Sequence, residues 1–176
     1  TLLVLSLTMV LMSSLSLVTV VQAQDPLSTA IDVPAQEGMN QFIFELGNSE
    51  RLELDIINPT EAFQFKLEYY GMTGPQSSKF SPKSARIAFF RFKILDEESH
   101  ASLKFGGGMR FIYNDAYFNA NPSTLSWFLL RSDKWRNFSQ ASVVSTLTRT
   151  VSQSFSREDL RPGETHFGVF GGATSA

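Results

Sequence analysis

The chain contains no cysteine, which excludes disulfide staples, thiol nucleophiles, thiolate zinc sites and iron–sulfur clusters together. Stability must then come from an apolar core, and a domain of about 150 residues can build one, burying roughly 68 to 70% of its unfolded surface. Charge is scarce as well, at 18% of residues, and the 15 basic and 17 acidic side chains alternate along the chain with a net charge of −2. No basic face is advertised, so nucleic acid is not expected as a partner. Only two histidines occur, His100 and His166, and neither a Gly-x-Ser-x-Gly elbow nor a His-Glu-x-x-His pair is present. No catalytic residue and no cofactor is assigned from these features. A hydrolase would need one of the two histidines beside a serine or carboxylate in a cleft.

What the chain does have begins at its start. From Thr1 to Gln24 no residue is charged, and the segment opens with a dense apolar run, Leu2 to Met12. The segment closes on Val21-Gln22-Ala23 before the polar Gln24-Asp25-Pro26, the pattern of an export signal cleaved after Ala23. The expected location is therefore secreted or cell surface, with membrane attachment only if the segment stays uncleaved as an anchor. Residues 24 to 40 hold Pro26, Pro34 and Gly38 without apolar periodicity and read as a leader. The domain proper is expected over 41–171, and 172–176 as a small-residue tail.

Within 41–171 the hydrophobic period is two. Phe42, Phe44 and Leu46 form one alternating set; Leu52, Leu54 and Ile56 a second; Phe63, Phe65, Leu67 and Tyr69 a third. Gly47-Asn48-Ser49 and Asn58-Pro59-Thr60 supply turns between them. Ala85 to Leu95 is apolar on both parities, which predicts a central strand covered on both faces or one that shifts phase at a bulge. Residues 101 to 113 read as a hairpin turning at Gly106-Gly107-Gly108, since no Gly-Lys-Ser or Gly-Lys-Thr follows to make a phosphate loop. Trp127 to Leu130, Val143 to Val151 and Phe167 to Phe170 complete the strand set. With 16 phenylalanines to fill the interior, the expected fold is all-β, an antiparallel β-sandwich or jelly roll.

Candidate sites follow from chemistry near the strand ends. Tyr117 and Trp135 neighbour polar residues and are the expected surface aromatics on which the apolar face of a pyranose would stack, whereas Trp127 is expected in the core. Across a three-glycine turn Lys104 would face Arg110, a pair of like charges suited to an anionic group. Asn137-Phe138-Ser139 is the one N-glycosylation sequon, because proline blocks Asn58-Pro59-Thr60 and Asn121-Pro122-Ser123. Asp96-Glu97-Glu98 with His100, and Asn114, Asp115, Asn119 and Asn121, offer metal-ligating groups but lack ligand spacing, and both segments read as turns. No metal site is assigned.

The segment Leu160-Arg161-Pro162-Gly163-Glu164-Thr165-His166-Phe167-Gly168-Val169-Phe170-Gly171 resembles the closing strand of pre-peptidase C-terminal domains, in which a proline–glycine turn leads into a strand ending Gly-Val-aromatic-Gly. The stretch from Phe42 to Ile57 is similar to that family's opening strands. The resemblance implies an extracellular β-sandwich that accompanies secreted enzymes without catalytic residues of its own. Together these readings point to a non-catalytic binding module for a carbohydrate or an extracellular protein, or to an accessory domain of a larger secreted enzyme.

Overall fold

The computed structural model describes residues 16–22, 30–72, 84–114, 121–132, 134–160 and 164–172, with backbone alone at 16–22, 84–86, 164 and 172. These residues form an all-β fold, mostly antiparallel, in two six-stranded sheets. The first sheet runs in the order β1 (Ser16–Gln22), β3 (Met39–Gly47), β4 (Glu50–Ile57), β7 (Gly106–Ile112), β11 (Thr150–Ser156) and β10 (Val143–Ser145). The second runs β2 (Ile31–Val33), β5 (Phe63–Gly71), β6 (Ser84–Ile94), β12 (Glu164–Gly172), β8 (Ser126–Arg131) and β9 (Lys134–Asn137).

Period-two patterning places the core between the sheets. Phe42, Phe44, Leu52, Leu54 and Ile56 are buried on the inner face of the first sheet, and Phe63, Phe65, Leu67, Phe90 and Phe92 on that of the second. Rings meet across the gap: Phe42 lies edge-on to Phe65 at 5.3 Å between centroids, and Phe90 to Phe111 at 5.9 Å. Trp127 is buried as expected, and its indole Nε1–H donates to the Val151 carbonyl at 2.9 Å, tying β8 to β11. The turn at Gly47-Asn48-Ser49 has positive φ at all three residues, the conformation its composition favours.

Strand β6 satisfies both expectations made of it. It is central, between β5 and β12, and its registers shift between Tyr69 and Gly71 on one side and between Val169 and Phe170 on the other. Phe90, Phe92 and Ile94 point into the core, while Phe89 lies under Trp135 and Phe170 on the opposite face.

Four expectations are corrected. The residues read as a leader contain β2, whose Ile31 and Val33 are buried against β5; three residues are too few to show a period. Gly106-Gly107-Gly108 is not a turn but the first half of β7, paired to β4 on one side and β11 on the other. Lys104 therefore precedes the strand, its backbone exchanging hydrogen bonds with Thr60, and does not face Arg110. Val143 to Val151 is two strands, not one: the chain turns through 146–149, with Leu147 fully in solvent and Arg149 at φ 55°. At the other end of the first sheet, β1 pairs parallel to β3 as its edge neighbour. The expected cleavage point after Ala23 lies outside the described residues.

Candidate functional site

Alternation along β7 turns Gly107, Met109 and Phe111 inward and Gly106, Gly108 and Arg110 outward. Gly107 is required by packing, because a Cβ there would sit 2.3 Å from the Asp55 backbone oxygen and 2.7 Å from the Phe155 ring. At Gly108 the nearest atoms to a Cβ would be the Gln153 carbonyl oxygen at 3.8 Å and Asp55 Oδ2 at 4.0 Å. Gly106 and Gly108 thus leave bare backbone on the outer face of the first sheet, and Gly108 forms the floor of a trough of about 280 Å³.

Sheet register supplies the walls. Asp55 on β4 and Ser154 on β11 lie directly across from Gly108, and Ser152 lies across from Arg110. Gln41 on β3 donates from Nε2 to Asp55 Oδ1 at 3.1 Å. Arg110 donates through Nε to Glu53 Oε2 at 2.8 Å, and Arg51 reaches the other oxygen at 2.9 Å, so the buried Glu53 carboxylate is held between two guanidinium groups. Half of the Arg110 side chain remains exposed, leaving N–H groups at the end of the trough. The far rim, Gln140 and Ala141, is fixed from inside the protein. Gln153 donates to the Gln140 carbonyl at 3.2 Å and accepts from Ser142 Oγ at 2.9 Å, while Ser142 Oγ in turn accepts from the backbone N–H of Trp127 at 2.9 Å. A buried, fully engaged amide thus anchors one wall before any ligand arrives.

Burial pushes the Asp55 carboxyl above its ordinary value near 3.8, and the Gln41 hydrogen bond and the Arg110 charge only partly oppose this. Desolvation makes this carboxylate a stronger acceptor once ionised, because less water competes for it. Asp55, Ser152, Ser154, Gln140 and Arg110 together offer acceptors and donors around a flat floor, an arrangement suited to a molecule bearing several hydroxyls.

The residues expected from sequence do not converge on one place. Arg110 is in the trough. Trp135 stands on the outer face of the second sheet, tilted against Phe89 at 5.6 Å and Phe170 at 5.0 Å, so the two face away from each other across the whole sandwich. Lys104 is in the loop before β7, and Tyr117 lies outside the described residues. Asn137 is exposed at the end of edge strand β9. Of the metal-ligating groups considered, Glu97 is hydrogen-bonded by Arg157, His100 approaches Glu61 at 3.7 Å, Asn114 donates to the Asn48 carbonyl and Asn121 caps the turn at Pro122–Thr124. In the sequence Asp55 reads, with Glu53, as an outward strand carboxylate that needs no role, and Ser152 and Ser154 give no signal because an outward serine on a strand is ordinary. The usable signal was the alternation of Gly106, Gly108 and Arg110 on one parity.

Comparison with protein-family models, with curated proteins and with solved structures finds no match to this chain.

Proposed function

We propose that this chain is an extracellular, non-catalytic β-sandwich binding module and that its ligand is a carbohydrate held in the glycine-floored trough of the first sheet. The observation that carries this reading is the side-chain-free floor at Gly108, walled by a desolvated carboxylate and ended by a half-exposed guanidinium. Sugar hydroxyls donate to Asp55 and accept from Arg110, and the exposed Val143 at the rim offers apolar contact for ring carbons. The resemblance of residues 160–171 to pre-peptidase C-terminal domains supports the extracellular, non-catalytic part of the reading.

Screening the exported protein on a glycan array tests it, with Asp55→Asn as the control. Wild type is expected to bind a defined set of glycans and the variant to lose at least tenfold in affinity, because an amide offers a hydroxyl donor a weaker acceptor than a carboxylate. Stability moves the other way. The folded pKa of Asp55 is raised, so the wild-type penalty is absent in acid and grows as pH rises through that value. The Tm of Asp55→Asn minus that of wild type is therefore expected to be larger at pH 7 than at pH 3. No binding to any glycan, or equal binding by both proteins, would sink the carbohydrate assignment.

The uncharged segment at the start of the chain supports the export part of this reading. N-terminal sequencing of exported protein is expected to begin at Gln24, which removes β1 and makes β3 the edge of the first sheet. A start upstream of Ala23 would overturn the cleavage.

A further inference from the structure

The outer face of the second sheet carries a second aromatic cluster that takes no part in the core. Phe170 lies at its centre, edge-on to Phe89 at 5.2 Å and to Phe128 at 5.3 Å and steeply inclined to Trp135 at 5.0 Å. Gly168 makes room for it: a Cβ there would lie 2.6 Å from the Phe170 ring and 3.1 Å from Trp135 Cζ3. Phe89 and Phe170 are covered by this arrangement, while Phe128 and Trp135 remain partly exposed. Phe128 and Trp135 thus offer adjoining aromatic surface on which an apolar group can rest.

The sequon lies at its border. Asn137 is exposed, pairs directly with Phe128 across β8 and β9, and follows Trp135 by two residues, so strand pairing and the period of two put all three on the same face. Directly opposed residues have Cβ atoms about 4.5–5.5 Å apart, within reach of a group attached to the Asn137 amide.

We propose that Asn137 carries an N-linked glycan whose innermost sugar lies on Phe128 and Trp135. The Asn137 Nδ2 forms a bond to C1 of N-acetylglucosamine and loses one proton. The C1–oxygen bond to a lipid diphosphate donor breaks, and the lipid diphosphate leaves with the bonding pair. The pyranose face, lined by C–H groups, covers the rings, and the attached chain also shields the edge of β9 from pairing with another strand. This inference rests on the export reading, since the donor is met only along the secretory route, but it is independent of what the trough binds.

To separate these dependencies, the full chain is expressed in a glycosylating host behind an added cleavable export signal. Intact mass is expected to show one glycan, absent from Asn137→Gln. After trimming to a single N-acetylglucosamine, the Tm of wild type is expected to exceed that of Asn137→Gln, and the same comparison in a Trp135→Ala background to lose at least half of that increment. Ring protons of the sugar in the wild-type protein are expected to shift upfield in NMR spectra, a readout that holds even if Trp135→Ala fails to fold. An unmodified Asn137, or a sugar whose protons resonate as in a free glycopeptide, overturns the proposal.

Discussion

Trp127→Ala is expected to cost about 3–5 kcal/mol, a large part of the roughly 5–15 kcal/mol that keeps a domain folded. The indole is 1% exposed and occupies the junction of both sheets, 5.7 Å from Phe90 on its own sheet and 6.4 Å from Phe111 on the other. Truncation leaves a void bounded by aromatic rings that belong to paired strands, which cannot collapse into it without moving the sheets. It also deletes the hydrogen bond to the Val151 carbonyl, a polar tie between the layers. Trp127→Phe keeps a six-membered ring in the junction but gives up the pyrrole half of the indole together with its donor, so a loss smaller than that of the alanine variant is expected. Urea unfolding of the three proteins measures this, with the midpoint falling in the order wild type, Phe, Ala at similar slope. An alanine variant within about 1 kcal/mol of wild type would mean that the site is not the rigid junction described.

Strands with one wet face were the legible part of this fold. Leu54 and Phe65 alternate with polar residues, and a one-residue slip would turn each set to water, so the pattern alone fixes which side is buried. Strand β6 was legible for the opposite reason: apolar residues on both parities announce two covered faces, and Phe89 under Trp135 is the second cover. The glycine triplet misled because local turn preference is weak against long-range pairing. Gly106, Gly107 and Gly108 are held straight by β4 and β11 through partners such as Ile57 and Ser156, far away in the sequence. The split of Val143 to Val151 was hidden because threonine and leucine fill the turn where glycine or proline would mark it. The trough combines Asp55, Arg110 and Ser154, one from each of three strands, so no local motif contains it.

Neighbouring glycines on β7 are expected to respond to the same substitution in opposite ways. Gly107→Ala puts a methyl group against the Asp55 backbone oxygen at 2.3 Å and the Phe155 ring at 2.7 Å. The ring can tilt, but the oxygen belongs to a paired strand in the middle of the sheet, so the strands must part. A loss of about 3 kcal/mol or more is expected. Gly108→Ala meets nothing closer than 3.8 Å on the outer face and should change stability by less than about 1 kcal/mol, with the reduced freedom of the unfolded chain acting in its favour. Gly108→Leu extends that same vector into the trough and fills the floor between Asp55 and Ser154. It should melt within a few degrees of wild type yet lose glycan binding at least tenfold. Because Gly108→Ala keeps both properties and Gly108→Leu keeps only the fold, the pair separates the trough as a ligand site from the trough as a by-product of strand packing. If Gly108→Leu binds as wild type does, the bare strip exists only because Gly107 needs its neighbourhood, and the ligand must be sought on another face.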